Sequence, residues 1–439
     1  MPALMRNFSK RVQRPVAALA MLAVCLAAAA QDNVIGLTLR DAEQQLATGN
    51  RDVRLARRAL EGAQANTVSA GARPNPNLSL GVSQINPQVG VGGGPYRDKT
   101  VDSSVRLDQL IERGDKRELR IAQARRSEAA ASQDYADVLR QQLLALRSAY
   151  YDLAFAQDKS AISRDNIALF ERTIEAAELR YKAGDIAAAD VSRLRVDALR
   201  AQNDARAAEA DRRRAQLALA YLIGAEAKGA VLRAIDPWPA PDSVELPRVT
   251  DEMIDRRPDV RAARSRVDAA AGARDLARSL RTRDVTVGLS YDHYPVNPGF
   301  AQGSGAGTGN TYGLFVSVPL FARYTYEGEI QRAESDYGAA LDSLEKTRAQ
   351  ARSELNRTTS DLQAASERLA RYDGSLLAEA RKASDSAEYA YKNGAIGVMD
   401  LLDARRTLRA IQIDAAAARN DYAKALSAWR AGIGSEEPR

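Results

Sequence analysis

The sequence has one cysteine and one histidine in 439 residues. Cys25 lies inside an apolar N-terminal stretch. If that stretch is removed, no thiol remains for a disulfide framework, thiol catalysis or a cysteine metal site. His293 falls beside an expected strand end, as an interfacial or loop residue, and a single imidazole cannot furnish a transition-metal centre. No metal site and no cofactor is expected. Nor is an enzyme, because no His, Cys or Ser constellation forms a defensible active site. Aromatic residues are only 5% of the chain, whereas Ala, Arg, Gln, Leu, Asp and Glu fill long stretches. That composition belongs to extended helices and not to several compact cores. A strong charge of one sign is also missing. The formal charge is +6, but Arg6, Lys10, Arg11 and Arg14 precede residue 31 without any acid, which leaves about +2 beyond it. Arginine alternates with Asp and Glu along the expected helices, so no concentrated basic face marks a nucleic-acid partner.

Long hydrophobic runs are absent too, apart from one that begins at Val16. It is about 15 residues long, short of the roughly 20 that span a bilayer as a helix. Basic residues precede it and small residues up to Ala30 follow it, the pattern of a secretory signal covering residues 1–30. Leu22-Ala23-Val24-Cys25 also loosely resembles a lipobox with a bulky Val24, a reading in which Cys25 is retained as the lipidated first residue.

Proline breaks helix interiors, and its distribution outlines the architecture. There is none between Pro95 and Pro237 and none between Pro319 and Pro438. Both stretches carry apolar residues at helical spacing, such as Leu139, Leu143, Leu146, Tyr150 and Leu153. Each is divided by a glycine suited to a helix C-terminus, Gly184 and Gly394. The spacing therefore predicts two very long helical hairpins, the first with a helix from about Asp115 to Tyr181 that runs roughly 100 Å at 1.5 Å per residue.

Four short segments alternate instead. Leu78, Leu80 and Val82 interleave with polar or small residues, and so do Val101, Val105 and Leu107; Val285, Val287, Leu289 and Tyr291; and Tyr312, Leu314, Val316 and Val318. These predict β-hairpins over about 77–111 and 284–320, joined by Gly- and Pro-rich loops. One apolar and one polar face fits a half-buried soluble sheet or an outer-membrane strand. Four strands cannot close a barrel and open edges are not tolerated in lipid, so the membrane alternative requires several chains to share one barrel.

The chain also repeats itself. YKAGDIAAADV at 181 and YKNGAIGVMDL at 391 align at a spacing of 210, and Arg195 falls on Arg405 in the same register. Arg51-Asp52-Val53-Arg54 echoes Pro258-Asp259-Val260-Arg261. Two tandem structural repeats, 31–237 and 238–439, are expected, each a helix, a β-hairpin and a long helical hairpin, with tips near 184 and 394.

Exported tandem halves of this kind, with RRPDVRAA at 256, SVPLFARYTYEGEIQRAESDY at 317 and YKNGAIGVMDLLDARRTL at 391, resemble the TolC family of outer-membrane efflux channels over nearly the whole length. LDQLIERGDKRELRIAQA at 107 resembles the signature of the CzcC-like, heavy-metal branch. The resemblance implies a mainly α fold with a small β part: a periplasmic α-barrel of duplicated helical hairpins, with four strands per chain sharing a twelve-stranded transmembrane β-barrel in a homotrimer. It implies a passive efflux duct in outer-membrane lipid, possessing a periplasmic adaptor and an inner-membrane pump of the resistance-nodulation-division type as partners. The competing reading is an exported coiled-coil or stalk protein of the envelope, which leaves the duplicated hairpins unexplained.

The resemblance also implies site residues. Asp400 and Asp403, three apart on one helical face, would form acidic rings at the periplasmic gate and favour cations. They are equally suited to opening a helix, where acids are favoured. Tyr391 would latch to Asp190, although Ile396 stands where the family's best-known members carry the latch arginine. Gly184, Asp185, Gly394, Ala395 and Ile396 would be the adaptor-contact tips.

Overall fold

The computed structural model describes residues 35–85, 101–241, 247–294 and 309–434, with residues 87, 88, 90, 93–95 and 99 between the first two stretches. The expected signal at 1–30, Cys25 and much of both strand-connecting loops lie outside the described residues. In chain order the elements are β1 (Ile35–Leu37), α1 (Leu39–Gly49), α2 (Arg51–Ala70), β2 (Asn77–Ser83), β3 (Asp102–Ile111), α3 (Lys116–Lys182), α4 (Ala188–Ile223), β4 (Leu232–Ala234), α5 (Asp251–Arg256), α6 (Pro258–Ser279), β5 (Val285–Tyr294), β6 (Gly309–Ser317), α7 (Glu327–Arg371), α8 (Leu377–Lys392) and α9 (Val398–Ile433). A π turn, Tyr372–Leu376, joins α7 to α8, whereas α3 runs for 67 residues without interruption. Among the described residues, no helix is long and apolar enough to cross a membrane.

Two compact units emerge, and they do not follow the tandem halves. Of the described residues, one unit comprises those up to Val53 and those within 141–246 and 358–431; the other comprises those within 54–140, 247–357 and from Gly432 on. The expected boundary at 237/238 therefore separates no compact bodies. The reason is that α3 and α7 each contribute residues to both units, so each unit draws on both halves.

In the first unit, Leu46, Leu146, Leu153 and Leu219 are wholly buried. The parallel pair β1 and β4 is fastened to α3 by side chains. Tyr150 Oη lies 3.0 Å from both Leu37 O and Asp236 Oδ2 and accepts from Ile235 N and Asp236 N, at 3.2 and 3.1 Å. Burial pushes this hydroxyl up to about 12. Gln157 donates to Ala234 O and accepts from Ala234 N, so one side chain completes the β4 edge.

In the second unit, β2, β3, β5 and β6 form an antiparallel sheet in that order. Register aligns Leu78, Leu107, Leu289 and Leu314 in one row and Leu80, Val105, Tyr291 and Tyr312 in the next on the same face. Ser79, Arg106, Ser290 and Gly313 share a row on the opposite face. His293 lies within β5 against Asn310, Nδ1 to Oδ1 at 2.8 Å.

The expected motifs have structural work in this unit. Arg257 of RRPDV is only 1% exposed and bridges Asp259 at 2.8 Å and Glu354 at 2.7 Å, tying the start of α6 to α7. In the Gln109 to Arg117 stretch, Gly114 (φ +73°) leaves space for Thr282, while Lys116 reaches Asp284 at 2.8 Å and Thr282 O at 2.7 Å. Arg117 donates to Gly71 O at 2.8 Å. This signature builds the turn from strand to long helix.

Candidate functional site: the paired helical tips

Both helical hairpins of the first unit turn in the same way. Gly184 (φ +85°) and Gly394 (φ +72°) take the left-handed conformation that L side chains resist. Gly184 N donates to Tyr181 O at 3.0 Å and Asp185 N to Arg180 O at 2.9 Å. Their counterparts, Gly394 N to Tyr391 O and Ala395 N to Ala390 O, measure 3.1 and 2.8 Å. These nested bonds satisfy the last carbonyls of α3 and α8.

The tips pack on a shared apolar cluster. Phe170, Ala177, Val191 and Leu194 of the first hairpin meet Tyr391, Val398, Leu401 and Leu402 of the second, and Ile186 and Ile396 pack against the edge. Of the expected adaptor-contact residues, Gly184, Asp185, Gly394 and Ala395 are exposed, whereas Ile396 is partly covered by this cluster. Leu179, Tyr181, Tyr389 and Met399 leave apolar surface exposed around it.

Within one chain Tyr391 and Asp190 do not bond to each other. Tyr391 Oη is buried without a hydrogen-bond partner among the described residues, and Asp190 instead lies 3.6 Å from Arg193, one turn along its own helix. The Tyr391 ring sits under Arg180, whose guanidinium is 5.1 Å from the ring centroid and donates to Tyr391 O at 3.3 Å. The short i,i+3 reach to Arg193 satisfies Asp190 locally, and the ring is drawn into the apolar cluster.

Asp400 and Asp403 are both exposed near the start of α9. Asp400 Oδ2 accepts from Gly397 N at 3.3 Å, so it caps its own helix as acids in a first turn do. Asp403 has no side-chain partner among the described residues.

The charged residues that join the hairpins are others. Arg405, 5% exposed, donates to Thr173 Oγ1 on α3 and to Glu388 Oε2 at 3.3 Å. Arg406 reaches Asp197 at 2.6 Å and Arg409 reaches Asp204 at 2.8 Å, both from α9 to α4. Burial pushes the Arg405 pKa below its ordinary value, outweighing the raising effect of Glu388. A hydrogen bond from Lys392, opposed by burial and aided by the Arg405 charge, holds the Glu388 carboxyl below the usual carboxylate range. A sequence signal for this network exists: Glu178 and Arg195 stand 17 apart, as do Glu388 and Arg405 one repeat later. Among the described residues, no group of three or more His, Cys, Asp or Glu could hold a metal ion.

The chain matches the profile of a family described as outer membrane efflux protein over residues 42–225 and 249–435. It is 25% identical to the cobalt-zinc-cadmium resistance protein CzcC of Cupriavidus metallidurans, with 85% of this chain and 84% of that protein aligned. It is 24% identical to the pyoverdine export outer membrane protein OpmQ of Pseudomonas aeruginosa, over 64% of this chain and 59% of that one. In fold it resembles the CmeC outer membrane channel of Campylobacter jejuni, with a TM-score of 0.76 at 13% identity, covering 91% and 87% of the two chains. With long duplicated hairpins, a four-stranded sheet and these matches in hand, the chain belongs to the outer membrane efflux protein family.

Proposed function

We propose that three copies of this chain close one transmembrane β-barrel and act as the outer-membrane duct of a tripartite efflux system. The observation that carries this is the sheet itself. Among the described residues, its edge strands β2 and β6 have no partner on their outer sides. Its apolar face is left bare, with Leu80 73% and Leu314 70% exposed. An apolar face suits lipid, but lipid does not accept unpaired edges. Pairing β6 of one chain with β2 of the next removes both edges, and three chains supply twelve strands.

In this assembly Asp400 and Asp403 line the periplasmic gate and favour cations. The exposed tips at Gly184, Asp185, Gly394 and Ala395 receive a periplasmic adaptor, which links the duct to an inner-membrane pump of the resistance-nodulation-division type. The duct has no chemistry of its own and takes its direction from the pump. Divalent metal cations are the favoured cargo, supported by the similarity to CzcC over most of both chains and by the Gln109 to Arg117 stretch.

The test is planar-bilayer conductance of the purified protein, with selectivity read from reversal potentials and oligomeric state from a heat-sensitive band on a gel. A small, cation-selective conductance that disappears with the trimer supports the duct. A folded protein that neither inserts nor conducts favours an envelope stalk. Asp400→Ala with Asp403→Ala should reduce cation selectivity and divalent block, and unchanged selectivity would sink the gate assignment. For cargo, loss of the gene should sensitise cells to cobalt, zinc or cadmium; sensitivity to organic compounds alone would reject metal.

A further inference from the structure

Where the strands of the second unit give way to helices, arginines collect at one end of the sheet. Arg73 precedes β2, Arg113 follows β3, Arg281 and Arg283 precede β5, and Arg323 follows β6; all five are exposed. Specific contacts hold these segments together. Gln109 donates to Pro74 O at 3.0 Å, Arg113 N to Asp284 Oδ1 at 3.0 Å, and Arg281 to Thr325 O at 3.3 Å. Arg283 lies 5.4 Å above the Phe321 ring.

The neighbouring acids are in part engaged elsewhere. Glu112 is taken by Arg120, Asp284 by Lys116, Glu118 by Arg117 at 3.5 Å, and Glu329 by Tyr324 at 2.5 Å. Glu327 and Glu329 are held by neutral groups of Thr325 and Tyr324 and keep their charge, so with Asp115 they are exposed acids of the rim, and Glu327 feels the charge of Arg281. Among the described residues, Arg73, Arg113 and Arg323 have no side-chain partner, Arg283 meets the Phe321 ring, and Arg281 meets Thr325 O and the charge of Glu327. The bare apolar face ends in this region, with Ile111 48%, Leu320 78% and Tyr324 51% exposed. Phe321 and Tyr326 meet edge to face at 5.3 Å beside them.

We propose that this rim binds the headgroups of anionic phospholipid in the periplasmic leaflet, Arg73, Arg113 and Arg323 engaging the phosphates while Phe321 and Tyr324 sit at headgroup depth. The proposal rests on the barrel assignment above. Apolar surface, then aromatics, then arginines without an ion-pair partner is the sequence of chemistries met on passing from acyl chains to headgroups. Guanidinium groups pair with phosphate oxygens in forked hydrogen bonds. An anionic lipid adds net charge that a zwitterionic lipid lacks, and basic residues at a membrane surface read that difference.

The test is competitive retention. The purified full-length protein is exchanged into mixed micelles holding phosphatidylglycerol and phosphatidylcholine in equal amounts, and bound lipid is counted by native mass spectrometry. Phosphatidylglycerol should be enriched by about tenfold on the trimer. Arg73→Gln, Arg113→Gln and Arg323→Gln together should bring retention close to even, whereas the three Lys replacements should keep most of the preference. Inorganic phosphate at matched ionic strength should not displace the lipid; displacement would reduce the rim to a free-anion site and overturn the proposal. Even retention by a trimer that conducts would overturn it as well and leave the duct standing. Absence of both trimer and conductance would bring down the duct assignment, and the lipid rim with it.

Discussion

The two helical tips share a backbone and differ in what they bury. Each turns on a left-handed glycine with the same nested hydrogen bonds, and each carries a Glu and Arg 17 residues apart across the turn. At the first tip the Arg195 to Glu178 pair, 2.7 Å long, has side chains 61% and 40% exposed, and Tyr181 is 48% exposed. At the second, the Arg405 side chain is 5% exposed and Tyr391 is 6% exposed. The first hairpin thus presents its arginine to solvent, while the second packs its arginine against Thr173 of the first and leaves Glu388 33% exposed. A duplicated phrase has become one surface feature and one internal joint. It is the internal copy whose helix carries Asp400 and Asp403, where the first copy has Asp190 and Arg193.

The largest expected effect breaks the comparison if it fails. Arg405→Ala should weaken the second tip by about 1–2 kcal/mol, because it removes charge-assisted bonds to Glu388 and Thr173 and a buried side chain, although Glu388 keeps Lys392 and Thr173 keeps Leu169 O. Arg195→Ala should cost no more than about 0.5 kcal/mol, the value of an exposed pair. Hydrogen exchange over residues 385–405 and 175–195 in the trimer reads both. Equal losses would mean that assembly buries the first pair as deeply as the second.

A smaller effect isolates what the tips share. Gly184→Ala and Gly394→Ala should each cost about 1 kcal/mol of local protection, the strain of a left-handed L residue. A Cβ at either position meets nothing within 4 Å, so sterics add nothing. A markedly larger loss at one tip would show that a partner presses on that turn.

Acid sharpens the difference through Glu388. Its folded pKa is depressed, so its contribution is complete above the ordinary carboxylate value of about 4.3 and is lost as pH falls through the lower folded value. Protection of residues 385–405 should therefore fall below about pH 4, and Glu388→Gln should flatten the profile. A profile that the substitution leaves unchanged would remove Glu388 from the joint.

Much of this architecture was legible beforehand. The proline-free stretches and the punctuating Gly184 and Gly394 follow from backbone chemistry, and the alternation around Leu80 and Leu289 follows from the two-residue period of a strand. The π turn at Tyr372–Leu376 had no proline to announce it, and Arg164, one repeat before its Gly374, lies inside an unbroken helix. Compact units that cross both halves arise from helices longer than any one unit, which residue spacing does not show. The joint itself was half legible. The spacing of Glu and Arg is the same in both copies, and only tertiary packing of Val398, Leu401 and Leu402 against Phe170 and Leu194 decides which copy is buried. The two latch residues stay apart in one chain for the same reason: Tyr391 and Asp190 have the right chemistry, but the tyrosine packs by its ring and the aspartate finds Arg193.

The smallest expected effect is also the most discriminating for that latch. Tyr391→Phe removes a buried hydroxyl that has no partner among the described residues, so the second tip should be unchanged or gain up to about 1 kcal/mol. Tyr181→Phe, at an exposed ring, should do nothing measurable. In bilayers neither substitution should change open probability, because the phenyl ring keeps both the apolar packing and the contact with Arg180. Higher leak through Tyr391→Phe, with no change for Tyr181→Phe, would mean that the assembled trimer gives the hydroxyl the partner it lacks in one chain. Asp190 would then be the first residue to test, by asking whether Asp190→Asn leaks to the same extent and whether the double variant leaks no further.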